Sequence, residues 1–456
     1  MQRDATTDHD GRERWRRRIR LVAALAAGLT VALGLAACFG SGDSGGNKKG
    51  EVVITCASCQ KSPTDPFLQY NYEAAQRFNK KYAGKYRVKI VKNQYASSGP
   101  DRLQYYQRLA LANDLPDTFL VNRAELVALE KTGKLVDFAP ELHSDSAWKS
   151  AFYKGAFDAL TDGGGRVMAI PEERDAIGIF YNKALFQQAG ISSFPQTWDE
   201  LSADCAKLKA KGKICLAMDG DWATLLMWAN LIGTQPGGDE FLRSGLAKGD
   251  YGANPAVVKA TETLKRWHTD GFVNRDAFSG DYANAAAAYV RGKAAMVANG
   301  PWMVTTDIKA KNALSGLYQE TGYEPSPGWT PDRRGLIVVA GNGGWVSGSR
   351  DDDKKDAVGV FMKFLTSPAE GVEQTRKTGA YPAVKVDLSS RGLDPLAANL
   401  VKESASLPVT FPHVYFGAPA AFGSAWKNLW PAYVQGKMPT ESFLDKLAKS
   451  ATSPTG

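Results

Sequence analysis

EVVIT (51–55), FLQYNYEAAQRFNKKY (67–82), YRVKIVKN (86–93), RLQYYQRLALAND (102–114) and PDTFLVN (116–122) follow one another across short polar gaps. The first, third and fifth are short apolar runs, whereas the second and fourth repeat their apolar residues at helical spacing. The order β-α-β-α-β predicts a parallel, doubly wound α/β layer. Ligands of such layers sit outside the carboxyl ends of the strands. That singles out the loops at 59–66, 93–101 and 122–123, and makes Asp65, Asn122 and Arg123 candidate ligand-binding residues.

Beyond residue 160 the pattern changes. RVMAIPEERDAIGIFYNKALFQQAGI (166–191) reads as strand, Pro-containing turn, strand and helix. SSFPQTWDELSADCAKLKAKG (192–212) carries a capping box, Thr197 at the N-cap and Glu200 at N3. DWATLLMWANLIGTQPGG (221–238) and NPAVVKATETLKRWHTDGF (254–272) read as helices. YANAAAAYVRGKAAMVANGPWMVTTDI (282–308) reads as a helix, a strand ending at Asn299 and a Gly-Pro start to another helix. The region after Tyr381 is largely helical in pattern. At 456 residues the chain exceeds what one core fills, so two lobes are expected. The net charge of +8 includes a net +3 within residues 1–37, and no dense basic stripe follows. Nucleic acid is therefore not an expected partner.

The N-terminus joins RERWRRRIR (12–20) to the apolar run LVAALAAGLTVALGLAA (21–37), a basic and then apolar order that reads as a cleaved export signal, residues 1–37. The stretch LAACFGSGDSGG (35–46) then offers two readings. GDSGG is the pentapeptide around the serine of chymotrypsin-like proteases. Here it lies in a Gly/Ser tether, residues 38–50, with no rigid scaffold and no base within reach, so it is compositional coincidence. LAAC resembles a bacterial lipobox, which makes Cys38 the expected lipidation site and places the protein on the outer face of the cytoplasmic membrane. The remaining cysteines fall into two local sets. Cys205 and Cys215 join a predicted helix to the next strand, where a bridge is worth about 2–3 kcal/mol. Cys56 and Cys59 form a CxxC followed at once by prolines, which suits a disulfide or two free thiols better than a redox centre. The four His are scattered, so no metal site is expected.

AIGIFYNKALFQQAGISSFPQTWDEL (176–201), RGKAAMVANGPW (291–302), PDTFLVNRAELVALEKTGKLVDF (116–138) and AVGVFMKFLTSPAEGVEQTRKTGAYPAVK (357–385) together resemble the solute-binding proteins of ABC importers. The class is the carbohydrate-binding, maltose-binding-protein-like one, family 1. The resemblance implies a periplasmic-binding-protein-like type II fold, two doubly wound α/β lobes joined by a hinge with a ligand cleft between them. It places 51–174 and 330–378 in one lobe, 175–329 and 379–450 in the other, and leaves 451–456 as a disordered tail. It implies a monomer that captures a mono- or oligosaccharide and delivers it to ABC permease subunits, without a cofactor and without catalysis.

Sugar rings present hydroxyl edges and apolar C–H faces, so their clefts combine aromatic platforms with planar polar groups. By resemblance Trp302 stacks on sugar, Trp222 stands at a second aromatic position and Trp426 at a third. Gly344 and Trp345, in GNGGWVSGS (341–349), are expected to face the cleft. Glu173, Arg174 and Asp175 precede the crossover strand, and Asp175 matches an acid that contacts ligand. Trp148, Trp198 and Trp267 read as structural. Two rival functions stand beside this one. Paired carboxylates such as Glu173 and Asp175 would suit a glycoside-acting enzyme, and an aromatic cleft also suits a peptide-binding ABC receptor.

Overall fold

In the computed structural model, residues 50–92, 100–340, 343–388, 394–396, 399, 409–419 and 421–452 are described. Cys38, the apolar run 21–37 and the tether up to residue 49 lie outside them. Among the described residues no helix is long and apolar enough to cross a membrane.

The first layer begins with β1 (Val52–Cys56) paired parallel to β2 (Tyr86–Ile90). A parallel bridge between Cys56 and Thr118 carries it on to β3 (Phe119–Asn122). Two strands close this layer, β4 (Ile170–Pro171) and β10 (Gly343–Val346), with β10 antiparallel between β3 and β4. The spatial order is thus β2-β1-β3-β10-β4. The Pro66–Lys81 helix starts where the Asp65 carboxylate accepts from the Phe67 and Leu68 N–H groups at 2.9 and 3.1 Å, with Pro66 in the first turn. Its buried face, Tyr70, Ala74, Ala75 and Phe78, meets the Asp352–Leu365 helix through Phe361 and Phe364.

The second layer is built on the long β5 (Arg174–Asn182). One edge of β5 pairs antiparallel with β7 (Ala294–Asn299), and β7 pairs parallel with β6 (Ile214–Ala217). The other edge takes β8 (Thr321–Glu324) and β9 (Gly335–Ala340), and β9 continues to β11 (Val409–Phe411). The Trp222–Gly233 helix is buried along almost its whole length, and the expected capping box at Thr197 and Glu200 opens the Trp198–Ala210 helix. Trp148, Trp198 and Trp267 are all buried.

The chain passes between the layers first at Glu172-Glu173 and again between Ala340 and Gly343. This corrects the expected boundary at 330: β9 bonds to β5 along Arg174–Ile177, so residues up to 340 belong with the second layer. A third passage is drawn out over 379–388. Tyr381 packs with the second layer, while Ala383 and Val384 pack with the first. The passages bond to one another, Arg174 N–H donating to the Tyr381 carbonyl at 2.8 Å and Glu173 bridging Pro382. The final helix, Thr440–Thr452, runs into the expected tail.

Candidate functional site

The first layer carries a cavity of about 340 Å³ at the carboxyl ends of β1 and β3. Ser58 after β1, Asp65 and Asn71 on the Pro66–Lys81 helix and its cap, Arg102 and Asn122 form much of its polar wall. Glu172 and Glu173, from the first passage between layers, close it together with Gly343 and Gly344. The glycines are needed there. A Cβ at Gly343 would lie 2.0 Å from the Val121 carbonyl oxygen, and one at Gly344 2.2 Å from that of Ile170.

A single carboxylate organises the wall. Asn122 caps the Arg123–Glu130 helix by accepting from the Glu125 N–H at 2.9 Å, and Glu125 Oε2 accepts in return from the Asn122 N–H at 2.8 Å. Glu125 also receives two bonds from the buried Arg102 guanidinium, Nε to Oε1 at 2.7 Å and Nη2 to Oε2 at 2.5 Å. On the far side Glu172 lies in the reverse situation. Burial, reinforced by the negative charge of Glu173, raises its carboxyl well above the ordinary range, with Arg102 opposing and Asp65 adding to the rise.

The second layer presents an aromatic face at the carboxyl ends of its parallel strands β6 and β7. After β6, Asp219 Oδ1 accepts from the Asp221 and Ala223 N–H groups, both at 2.9 Å, and turns the chain into the helix headed by Trp222. Burial pushes Asp219 up to about 6. The half-buried Trp222 ring has His413 at 4.4 Å, Tyr415 at 6.4 Å and nearly parallel to it, and Trp302 at 6.5 Å. Tyr415 donates its hydroxyl to Asp221, which pairs with Lys427 at 2.7 Å. After β7, Asn299-Gly300-Pro301 delivers Trp302, whose Nε1–H donates to the Tyr282 hydroxyl at 3.2 Å. The ring folds back over Gly300. Trp222, Trp302 and Tyr415 all remain partly exposed, so three rings hold positions on one surface.

Of the residues singled out in the sequence, Asp65, Asn122, Glu173 and Gly344 line the cavity, while Trp222 and Trp302 share the aromatic face. Arg123 follows Asn122 as the first residue of its helix and does not line the cavity; burial lowers its pKa. Arg174 spends its guanidinium on the Tyr153 ring, 4.7 Å away. Asp175 is placed by its backbone, opposite Val339 in the β5–β9 ladder.

Two expectations need correction. Trp345 is 2 % exposed and packs against Phe361 beneath the sheet, because side chains alternate along β10 and Gly344 takes the cavity side. Trp426 is fully buried, stacked on Trp430 at 4.6 Å and beside Trp228 at 5.2 Å, because its helix faces the Thr440–Thr452 helix at that position. Neither ring is available to a ligand.

Cys56–Cys59 and Cys205–Cys215 are both disulfides. Among the described residues no group of His, Cys, Asp and Glu could hold a metal ion.

Sequence reasoning missed Ser58, Asn71, Arg102 and Glu172 in the cavity, and Tyr282, His413 and Tyr415 around the aromatic face. Glu172 stands beside a residue that was singled out and reads locally as a solvated turn. Arg102 had one available signal, its place just after the second strand of a doubly wound layer.

Two α/β layers, each with a ligand-competent face at its strand ends and joined by three chain passages, define a two-lobed binding protein of the periplasmic-binding type II class. The chain belongs to the family described as bacterial extracellular solute-binding protein, whose profile matches residues 60–372. It is a binding protein and not an enzyme. It is 26% identical over 363 residues to the diacetylchitobiose binding protein DasA of Streptomyces coelicolor, covering 76% of this chain and 78% of that one. It is 24% identical over 236 residues to the sn-glycerol-3-phosphate-binding periplasmic protein UgpB of Yersinia pestis. That match spans 48% of this chain and about half, 49%, of the relative. Among solved structures, a chitin oligosaccharide binding protein superposes with a TM-score of 0.72 at 21% identity, over 88% of this chain and 98% of that one.

Proposed function

We propose that the protein captures a sugar or oligosaccharide between the first-lobe cavity and the second-lobe aromatic face, and delivers it to the permease subunits of an ABC importer. The observation that carries this reading is the partly exposed set Trp222, Trp302 and Tyr415. Three rings held at strand ends suit the apolar faces of pyranose units, and the Asp, Asn and Glu groups of the cavity suit hydroxyl edges. Relatives named for diacetylchitobiose and for chitin oligosaccharide support a sugar. A glycerol phosphate fits less well, because its anion would meet Asp65, Glu172 and Glu173 while the arginine of the cavity is bound to Glu125. The LAAC stretch supports a lipid anchor at Cys38 that tethers the protein, working as a monomer, to the outer face of the membrane.

Tryptophan fluorescence of the purified protein, titrated with mono-, di- and oligosaccharides and with a peptide pool, tests the reading. A saturable response to one sugar series, abolished by Trp302→Ala, is expected. A response to peptides alone would replace the sugar with a peptide, and steady loss of intact sugar during titration would bring back the hydrolase.

A further inference from the structure

We infer that the sugar taken by this protein carries a protonated primary amine, seated in the first-lobe cavity against Glu172 and Asp65. The inference rests on the sugar reading above and concerns which sugar. The free hydrogen-bonding capacity of the cavity is lopsided. Its guanidinium, Arg102, is bound in bidentate fashion by Glu125. Asp65 commits Oδ1 to its helix, and its Oδ2 accepts no hydrogen bond among the described residues. Glu172 makes no side-chain hydrogen bond and no ion pair among them either, although it lines the cavity. Among the described residues of the wall, Arg102 is the one cation, and it is already bound to Glu125, whereas three carboxyl groups line the cavity.

Asn71 supplies an independent sign that the cavity is built for an occupant. It is 1% exposed, lines the cavity, and neither Oδ1 nor Nδ2 has a partner among the described residues. A buried amide left wholly unpaired bears the full desolvation penalty of both its groups. A polar ligand that accepts from Nδ2 and donates to Oδ1 removes that penalty, as a hydroxyl on the carbon next to an amine does. An ammonium offers three donors and a full charge, and bonds from it to carboxylates are about twice as strong as neutral ones. A hydroxyl or an acetamide could fill the same space but would bring no cation to Glu172 and Asp65. The raised Glu172 pKa agrees with this, since burial and the charges of Glu173 and Asp65 penalise its carboxylate and Arg102 alone opposes them.

The test is isothermal titration at neutral pH with oligosaccharides of glucosamine, the same oligosaccharides fully N-acetylated, and glucose oligosaccharides of equal length. The amine form is expected to bind at least about tenfold more tightly than the other two. Glu172→Gln should abolish that preference. Asp65→Asn, which keeps an oxygen to cap the helix, should reduce it. Equal or tighter binding of the acetylated or glucose form overturns the inference and leaves sugar capture standing. So does an amine preference that survives Glu172→Gln, because the amine then sits elsewhere. Silence with every sugar, here and in the fluorescence panel, removes both.

Discussion

Gly300→Ala isolates the aromatic platform with a single methyl group. A Cβ at position 300 would lie 2.1 Å from Trp302 Cζ3, 2.3 Å from Cη2 and 2.6 Å from Cε3. Carbon atoms pack at about 3.5–4.0 Å, so the two groups must separate by roughly 1.5 Å. The ring yields, being the far end of a partly exposed side chain. Its hydrogen bond to the Tyr282 hydroxyl, already 3.2 Å long, does not survive such a shift. Losing that bond removes about 0.5–1.5 kcal/mol of ring positioning, and misaligned stacking removes about as much again. Affinity for sugar should therefore fall roughly 10- to 100-fold, while unfolding free energy falls by about 1 kcal/mol, the low end for overpacking. Titration calorimetry reads the affinity and urea denaturation the stability. The decisive arm is the double mutant: with Trp302→Ala already in place, Gly300→Ala meets no ring and should cause no further loss. An equal loss in both backgrounds would refute the reasoning, since the effect would then run through the backbone of the loop.

Three further outcomes follow from the geometry. Converting Cys205 and Cys215 together to serine should lower unfolding free energy by about 2.7 kcal/mol, and Cys56 with Cys59 by about 1.6, as loop-closure entropy gives for separations of 10 and 3 residues; the reverse ranking in urea denaturation would contradict this. Glu125→Gln removes the carboxylate that grips the buried Arg102 and should cost up to about 3–5 kcal/mol, whereas Arg102→Met with Glu125→Leu should cost less than the single change. His413 is fully buried under Trp222, and burial holds its pKa down to about 3, so below pH 6.5 the folded chain binds fewer protons there than the unfolded one. Its contribution is complete above 6.5 and is lost, at about 1.4 kcal/mol per pH unit, as pH falls toward 3. Asp219, raised to about 6, has the opposite slope between about 6 and 3.8, so the loss is undiluted only below about 4. His413→Gln should flatten that acid limb, and an unchanged limb would place the proton uptake elsewhere.

The fold was legible because its signals are local. Alternating strands and helices over residues 51–122 specify a parallel layer without reference to anything distant, and the Thr197–Glu200 capping box reads within four residues. Asn299-Gly300-Pro301-Trp302 is equally compact, and so is the Asp219–Trp222 turn after β6. What failed depended on partners far along the chain. Trp302 and Trp426 are the same residue type at comparable distances from turns. Only the second meets a helix, Thr440–Thr452, that arrives later and covers it. Trp345 turned on the parity of one strand, where a shift of one residue exchanges cavity for core. Arg102 owes its role to Glu125, 23 residues on, and Asn71 to being on the one turn of its helix that reaches the cavity. Polar residues whose value lies in what they fail to bond leave no mark in a sequence.

In the proposed function the two half-sites divide the work of recognising a sugar, which would tie recognition to closure. Among the described residues the cavity offers charged and amide groups and no aromatic ring larger than Phe67, and the second-lobe face offers three rings. A sugar needs both kinds of contact, so either half alone should bind weakly. Each half stands on its own buried core, yet each also touches a passage between the layers. Glu172 and Glu173 are the first passage, and on the other side Thr305, three residues after Trp302, donates its hydroxyl to the Thr378 carbonyl at 2.7 Å. The next residue, Gly379, has a positive φ of 79° and would place a Cβ 2.9 Å from the Pro301 carbonyl oxygen. In the proposed function, a rotation about the passages would bring the halves together, and binding energy from both sides would hold them there.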